Sequence, residues 1–213
     1  MSERGQFITL EGCDGAGKST QARTLAQRLR ARGRPVVSTR EPGGSPWAER
    51  LREALIGRKG RTLDPAGQAV IFAAGRADHL DTLIVPALSQ GYFVVCDRFM
   101  DSTEAYQGAD GADPALLNVL RTLTVGAQRP DLTFILDCPP EIAIARLAER
   151  ESTDAFEAVD AATLHARRDA FLAIAARDSA RCVVVDASLS PDALADRIWE
   201  AVKARLLDRP SAA

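Results

Sequence analysis

Short apolar runs rich in β-branched and aromatic residues recur along the chain, and most of them end at a polar residue. Five such runs predict strands, at residues 6–11, 35–39, 92–97, 132–137 and 181–186. They are almost continuously apolar rather than alternating, as expected for parallel strands that are buried on both faces.

Segments with helical spacing of apolar residues lie between these runs. They predict helices over residues 19–32, 47–56, 65–90, 114–126, 140–150, 160–177 and 191–207. Asp113 and Ser190 each precede a proline and are expected to cap the helices that follow them. Pro86 is expected to kink or break the long third helix. Alternating strands and helices predict an α/β fold, with a five-stranded parallel sheet flanked by helices.

Composition and net charge further limit the number of domains and the kinds of partner that we expect. The chain has 213 residues, of which 46% are hydrophobic, and a formal net charge of −2. We expect a single domain spanning residues 1–213, because no linker or repeat divides the chain. The charge gives no reason to expect binding to nucleic acid or to a membrane. There is no run of 18 apolar residues and no apolar signal segment after Met1, so we expect a cytoplasmic protein.

The cysteines and histidines do not indicate a metal centre. Four cysteines are spread singly without a C-x-x-C pair, and the two histidines are far apart in the sequence. We therefore expect no zinc site. Three cysteines fall in or beside apolar runs and are expected to be buried thiols. Cys13 lies in a glycine-rich segment and is expected to be the accessible one.

That glycine-rich segment carries the strongest chemical signal in the chain. The sequence G-C-D-G-A-G-K-S follows the first predicted strand and precedes the first predicted helix. This is the context of a phosphate-binding P-loop, in which backbone N–H groups and the start of a helix surround phosphate oxygens. Lys18 is placed to reach the β- and γ-phosphates of a nucleotide, and the Ser19 hydroxyl to bind Mg²⁺. The expected ATP-binding residues are Gly12, Cys13, Asp14, Gly15, Ala16, Gly17, Lys18, Ser19 and Thr20.

Polar residues cluster where the predicted strands end. Glu11, Thr39-Arg40-Glu41, Asp97-Arg98 and Asp137 each close an apolar run. Ligands of open α/β sheets bind at the carboxyl ends of the strands, so we expect these side chains to line a site beside the P-loop. Arg40 and Arg98 indicate an anionic acceptor. The chain lacks the N-K-x-D motif of GTPases and is small for an AAA-type machine, which favours a small phosphoryl-transfer enzyme.

Further motifs in this order resemble the bacterial thymidylate kinases, which are P-loop nucleoside monophosphate kinases. They are TREPGG at 39–44, FAAGRADH at 72–79, the segment DRFMDSTEAYQG at 97–108 and RPDLTFILD at 129–137. The resemblance covers nearly the whole chain. It implies transfer of a phosphoryl group from ATP to dTMP with Mg²⁺, giving dTDP for dTTP synthesis, by a homodimer.

The resemblance also implies roles for individual residues. Phe72 would stack on thymine, Arg76 would donate to a thymine carbonyl, and Thr103 and Gln107 would bind the base edge. Tyr106 would pack against the sugar and disfavour a 2′-hydroxyl. Asp14 would contact the sugar 3′-hydroxyl, Arg98 would bind the acceptor phosphate, and Asp97 would support Mg²⁺. Arg40 and Arg52 are further candidates for the acceptor side.

The family places its catalytic arginine either in the P-loop or in a short lid, here at about residues 146–158. This P-loop contains no arginine, so Arg150 or Arg146 would have to supply the cation. Ala155 stands where the family commonly has a basic residue. Arg167 and Arg168 follow and are expected to lie on a packed helix.

Two alternatives remain open from the sequence. One is a kinase of the same fold that acts on another nucleoside monophosphate or on a deoxynucleoside. The other is a nucleotide-binding module with little kinase activity, for which Ala155 is the only support.

Overall fold

A computed structural model describes residues 4–56, 63–149 and 161–208. In these ranges the five predicted strands form one parallel sheet. They are β1 (Phe7–Glu11), β2 (Val36–Arg40), β3 (Phe93–Asp97), β4 (Leu132–Asp137) and β5 (Cys182–Asp186), in the order β2-β3-β1-β4-β5. The α/β fold class is confirmed, and each strand lies within a residue of its predicted bounds. Within these ranges, no helix is both long and apolar enough to cross a membrane.

The helices in the described ranges follow the sequence pattern closely. They are α1 (Lys18–Ala31), α2 (Pro46–Ile56), α3 (Pro65–His79), α4 (Val85–Ser89), α5 (Met100–Ala109), α6 (Pro114–Thr124), α7 (Pro140–Ala148), α8 (Ala161–Arg177) and α9 (Pro191–Val202). Asp113 accepts a hydrogen bond from the Ala115 N–H, and Ser190 accepts one from the Ala193 N–H. Both caps are therefore confirmed. Helix α5 was not among the helices predicted from apolar spacing, because its first turns are largely polar.

The long third helix is interrupted, but not at Pro86 itself. A π-helical turn at Leu80–Ile84 separates α3 from α4, and the Val85 N–H donates to the Leu80 carbonyl five residues back. Pro86 has no N–H and cannot continue the α-helical hydrogen-bond pattern, so the helix widens in the turn that precedes it. A second π-helical turn at Lys203–Leu207 follows α9.

Alternate residues of each strand pack against different layers. On β1, Ile8 and Leu10 join one core cluster with Leu25 and Leu29 of α1 and Ile198 of α9. Phe7 joins a second core cluster, on the other face of the sheet, with Ile84, Leu88 and Phe99. Because side chains alternate along a strand, one short apolar run serves both faces of the sheet.

The parallel register brings the strand ends to one edge. Leu10 of β1 and Arg40 of β2 both lie opposite Asp97 of β3, and Glu11 lies opposite Ile135 of β4. The segments that follow the strands at this edge carry the polar groups of the candidate site.

Candidate active site

The P-loop joins β1 to α1 and packs closely on its neighbours. Gly12, Gly15 and Gly17 have φ values of 136°, 82° and 90°. A Cβ on Gly12 would lie 2.6 Å from the Leu136 carbonyl oxygen, and one on Gly15 would lie 2.5 Å from that of Ala143. Glycine is required at both positions because of this close backbone approach and the left-handed conformation.

Lys18 begins α1 and points back into the loop. It is 6% exposed, and its Nζ donates to the Cys13 carbonyl over 2.7 Å. Burial, with repulsion from Arg98, lowers the pKa of Lys18 to about 8, against the opposing effect of Asp14 and Asp97. A bound phosphate would raise the pKa of Lys18 again, because its negative charge favours the protonated amine.

Ser19 and Asp97 meet between the P-loop and the end of β3. The Ser19 hydroxyl donates to Asp97 Oδ2 over 2.5 Å. The other carboxylate oxygen, Oδ1, is buried and has no hydrogen-bond partner among the residues that the structure describes. A hydroxyl and an unsatisfied carboxylate oxygen are hard donors that suit Mg²⁺, which needs only one or two protein ligands when substrate phosphates supply others. The described ranges hold no group of three or more His, Cys, Asp or Glu side chains placed to bind a metal.

Arg98, Asp14 and Tyr106 form a compact polar cluster beside the P-loop. Arg98 Nη2 donates to Asp14 Oδ1 over 2.6 Å and to the Tyr106 hydroxyl over 3.0 Å. The Tyr106 hydroxyl donates to Asp14 Oδ2 over 2.9 Å. Burial alone would raise the pKa of the Asp14 carboxyl, but Arg98 and Lys18 hold it well below its usual range. Arg98 is in the left-handed region at φ 70°, a strained conformation that is characteristic of functional sites.

A second buried cluster forms around Glu41, which follows β2. Arg76 Nε donates to Glu41 Oε2 over 2.8 Å, and Arg76 Nη2 donates to the Thr103 hydroxyl over 2.9 Å. His79 bridges Glu41 Oε1 and the Thr39 hydroxyl through its two ring nitrogens. Arg76 is 5% exposed, so it is a fixed, buried guanidinium rather than a solvated one.

Phe72 lies on α3 one turn before Arg76, and both line a pocket that is partly open to solvent. The other walls come from the segment after β2, from α2 and from α3, and include Pro42, Leu51 and Ile71. Phe72 is only partly buried, although it lies on a helix that packs in the interior.

Helix α5 presents the remaining residues predicted for the acceptor. Thr103 and Gln107 are both buried, at 8% and 5% exposure, as expected for two residues on one helical face. Gln107 Nε2 donates to Gln68 Oε1 over 3.2 Å. Tyr106 packs edge-on against Phe171 of α8.

The remaining predicted residues lie outside these clusters, and two of the predictions for them are wrong. Cys13 is buried, at 5% exposure, so the expectation of an accessible thiol is wrong: the P-loop packs against α8, where Cys13 Sγ lies 4.0 Å from the Leu164 carbonyl. Arg40 is more than half exposed and pairs with Glu49. Arg52 donates to the Pro42 carbonyl over 3.1 Å. Glu11 does not line the cleft, because it is completely buried.

Of the two lid candidates, only Arg146 lies within the described residues; Arg150 and Ala155 lie outside them. Arg146 Nη1 donates to the Ala187 carbonyl over 2.8 Å, next to the end of β5. Arg167 and Arg168 lie on α8. Arg168 binds both oxygens of Asp137, and Arg167 pairs with Asp110 and stacks 4.6 Å from the Tyr106 ring centre.

Sequence reasoning expected Glu41 to line the site as a polar residue at a strand end but gave it no partner, and it assigned no role to His79, although both lie in motifs that it singled out. The available signal was a carboxylate at a strand end and a histidine one turn after Arg76. Their pairing across two elements became visible only in the folded chain.

Comparison with known proteins agrees with this geometry. The family model for thymidylate kinase matches residues 10–198. A curated thymidylate kinase of Rhodopseudomonas palustris is 53% identical, over 97% of this chain and 92% of its own length. One of Bradyrhizobium diazoefficiens is 47% identical, over 99% and 94%. The crystal structure of thymidylate kinase from Ehrlichia chaffeensis superposes with a TM-score of 0.77 at 34% identity, covering 94% of this chain and 99% of that one. The chain therefore belongs to the thymidylate kinase family.

Proposed function

We propose that the chain transfers the γ-phosphoryl group of ATP to dTMP, giving ADP and dTDP for dTTP synthesis. An oxygen of the dTMP phosphate forms the new bond to the γ-phosphorus, and the bond from that phosphorus to the β,γ-bridging oxygen breaks. The observation that carries this function is the cluster of Arg98, Asp14 and Tyr106, which sets an acceptor site directly against the P-loop.

On the donor side, the P-loop binds the ATP phosphates through backbone N–H groups at the start of α1 and through Lys18. Ser19 and Asp97 would hold Mg²⁺, and the unsatisfied Asp97 Oδ1 supports this assignment. When bound, the ion neutralises charge on the phosphate oxygens. Lys18 keeps its proton once phosphate is present and adds to that neutralisation.

On the acceptor side, Arg98 binds the dTMP phosphate through charge-assisted hydrogen bonds. Asp14 then exchanges part of its pairing with Arg98 for the 3′-hydroxyl of the sugar. The ring of Tyr106 occupies the space beside C2′, and its hydroxyl stays oriented by Asp14. Arg40 and Arg52 are further candidates to contribute positive charge on the acceptor side.

Thymine occupies the pocket lined by Phe72 and Arg76. Phe72 stacks on the base, and the buried Arg76 donates to a base carbonyl. Thr103 and Gln107 complete the polar edge. Glu41 fixes Arg76 by an ion pair in which both side chains are at most 7% exposed, so the donor is preorganised and does not need to be ordered by the substrate.

Catalysis depends on position and charge, because phosphoryl transfer requires little covalent chemistry from the protein. Lys18 covers part of the charge that spreads over the transferring group, and Ser19 and Asp97 would hold a metal ion that supplies further positive charge. Arg150 of the lid supplies the rest, while Arg146, held at the Ala187 carbonyl, serves the adenine side.

We also propose a cytoplasmic homodimer. Val70 of α3 and Val119 and Leu123 of α6 are 47%, 52% and 77% exposed on two helices that pack together. A second copy would cover these apolar side chains. The four cysteines are all free and buried, as is usual for thiols in a reducing compartment.

A coupled assay of ADP release tests the function with dTMP, dUMP, dCMP, dGMP and AMP as acceptors, with Mg²⁺ and with EDTA. We expect dTMP to give the highest kcat/KM and EDTA to abolish turnover. A preference for another acceptor would favour a different monophosphate kinase. Nucleotide binding without turnover of any acceptor would favour the binding module.

A further inference from the structure

Glu11 is a carboxylate that the reaction described above does not use. It ends β1 in the middle of the sheet and is completely buried. Its Oε1 accepts from the Phe99 N–H over 2.8 Å and from the Ser102 N–H over 3.3 Å. These are N–H groups at the start of α5, so Glu11 caps that helix from another element.

The same carboxylate connects to Arg98. Ser102 Oγ donates to Glu11 Oε2 over 2.5 Å, and Arg98 Nη1 donates to Ser102 Oγ over 3.0 Å. The backbone of Arg98 is held from the same strand, because its N–H donates to the Leu10 carbonyl over 2.9 Å. The end of β1 therefore fixes both the backbone and the guanidinium of this arginine.

This arrangement matters because Arg98 is strained. Its φ of 70° costs energy for a residue with a Cβ, and such a conformation persists only where surrounding contacts determine it. Asp14 and Tyr106 hold the Nη2 end of the guanidinium, but both belong to the proposed acceptor site, where Asp14 exchanges part of its pairing with Arg98 for substrate. At Nη1 the contacts are the Gly12 carbonyl at 3.4 Å and Ser102 Oγ at 3.0 Å, and Glu11 holds this second contact from behind through its bond to Ser102 Oγ.

We propose that Glu11 is a positioning residue for the acceptor phosphate, and that it acts through Ser102 to hold the Arg98 guanidinium in its binding orientation. The inference rests on the proposed role of Arg98 in dTMP binding. It assigns Glu11 no contact with substrate.

The electrostatic surroundings of Glu11 make its charge sensitive to pH near neutrality. Burial, followed by repulsion from Asp101, raises its pKa to about 7, against the hydrogen bonds of Ser102 and Phe99 and the charge of Arg98. Asp101 itself is paired with Arg181 over 2.6 Å. The thiols of Cys96 and Cys182 also lie close enough to interact with it, and burial keeps the pKa of both raised. Protonation of Glu11 would turn an acceptor into a donor and weaken the chain to Arg98.

The test compares Glu11→Gln and Ser102→Ala with the wild-type enzyme in steady-state kinetics. Each variant breaks the link to Arg98 without touching substrate. We expect the KM for dTMP to rise about tenfold or more, with the KM for ATP within about twofold of wild type. The double variant should be no worse than the poorer single variant, because both changes interrupt one chain. Ser102→Thr keeps the hydroxyl and should restore the dTMP KM.

Thr9→Val is the matched control for a purely structural effect. Thr9 is also completely buried on β1, and its hydroxyl bonds that of Thr133 over 2.7 Å, in a chain that continues to Arg181 and Asp101 rather than to Arg98. We expect it to lower the melting temperature and leave the dTMP KM unchanged. An equal rise in this control would overturn the inference, as would a wild-type dTMP KM in folded Ser102→Ala. If Glu11→Gln does not fold, the dTMP KM of Ser102→Ala tests the inference by itself.

The pH dependence of the dTMP KM separates a positioning role of Glu11 from a purely structural role, because a structural role would not change this dependence. As pH falls from 8 to 6, the wild-type dTMP KM should rise more steeply than that of Glu11→Gln, which has no proton to gain. The second ionisation of the dTMP phosphate, near pH 6, affects both curves and cancels in their ratio. Parallel curves would contradict the inference. Absence of wild-type dTMP turnover would instead contradict the proposed function, and this inference with it.

Discussion

Arg98 Nη2 lies 2.6 Å from Asp14 Oδ1, so the arginine expected to bind the acceptor phosphate is paired with the P-loop carboxylate. The side chains of Arg98 and Asp14 are 16% and 34% exposed, which makes this a partly desolvated ion pair at the mouth of the site. In the proposed complex, the acceptor phosphate replaces Asp14 as a partner of Arg98, and a sugar hydroxyl replaces Arg98 as a partner of Asp14. This exchange would link acceptor binding to the P-loop.

Replacing Arg98 with Ala should therefore affect the acceptor far more than the donor. We expect the KM for dTMP to rise at least about tenfold and the KM for ATP to change little, because the lost hydrogen bonds are to the acceptor phosphate. Arg177→Ala, which removes a surface pair with Glu104, is the control and should be kinetically silent. A selective rise in the ATP KM would show that donor and acceptor sides are reversed.

Replacing Tyr106 with Ala should loosen discrimination between deoxyribose and ribose acceptors. In the proposed acceptor site the ring fills the space that a 2′-hydroxyl would need, so removing it should lower the ratio of kcat/KM for dTMP over its ribose analogue. Tyr106→Phe keeps the ring and loses only the hydroxyl that binds Asp14, so it should retain most of that ratio. If Tyr106→Ala leaves the ratio unchanged, exclusion by the ring is not the source of specificity.

Replacing Lys18 with Ala should reduce kcat by roughly 10²-fold or more while leaving the fold intact, because the lysine serves bound phosphate rather than the core. Lys203→Ala is a matched control: that lysine pairs with Glu200 on the surface, and its loss should be silent. In the wild-type protein the pKa of Lys18 is about 8, so the KM for ATP should rise above that pH as the empty site loses its cation. Near-normal turnover in Lys18→Ala would contradict the P-loop assignment.

The lid should depend on one arginine. We expect Arg150→Ala to lose at least about 10²-fold in kcat with little change in the dTMP KM, since the lid cation completes the charge around the transferring group. Arg146→Ala, whose guanidinium is held at the Ala187 carbonyl, should mainly raise the KM for ATP. Ala155→Arg should raise kcat if the natural lid is short of charge. Normal turnover in both alanine variants would mean that the cation comes from another element.

The sequence by itself determined the sheet, the P-loop and most helix bounds of this protein. Apolar runs and helical spacing are local properties, and caps such as Asp113 and Ser190 act within three residues of their position. The P-loop is likewise a local motif, in which the spacing of glycines, lysine and serine is typical of phosphate binding. Placement of Phe72, Arg76, Thr103 and Tyr106 around a cleft depended on the family resemblance, because each is an ordinary residue of its helix when taken alone.

Only the tertiary structure decided which partner each buried polar group has. Ser102 reaches Glu11 across 91 residues of chain, and Arg76 reaches Glu41 across 35. The burial of Cys13 depends in the same way on Leu164, 151 residues away. Apolar periodicity specifies which face of an element is buried, but any buried charge can be satisfied by several partners. The choice among them follows from strand order and helix packing, and these arise from contacts between segments that are distant in sequence.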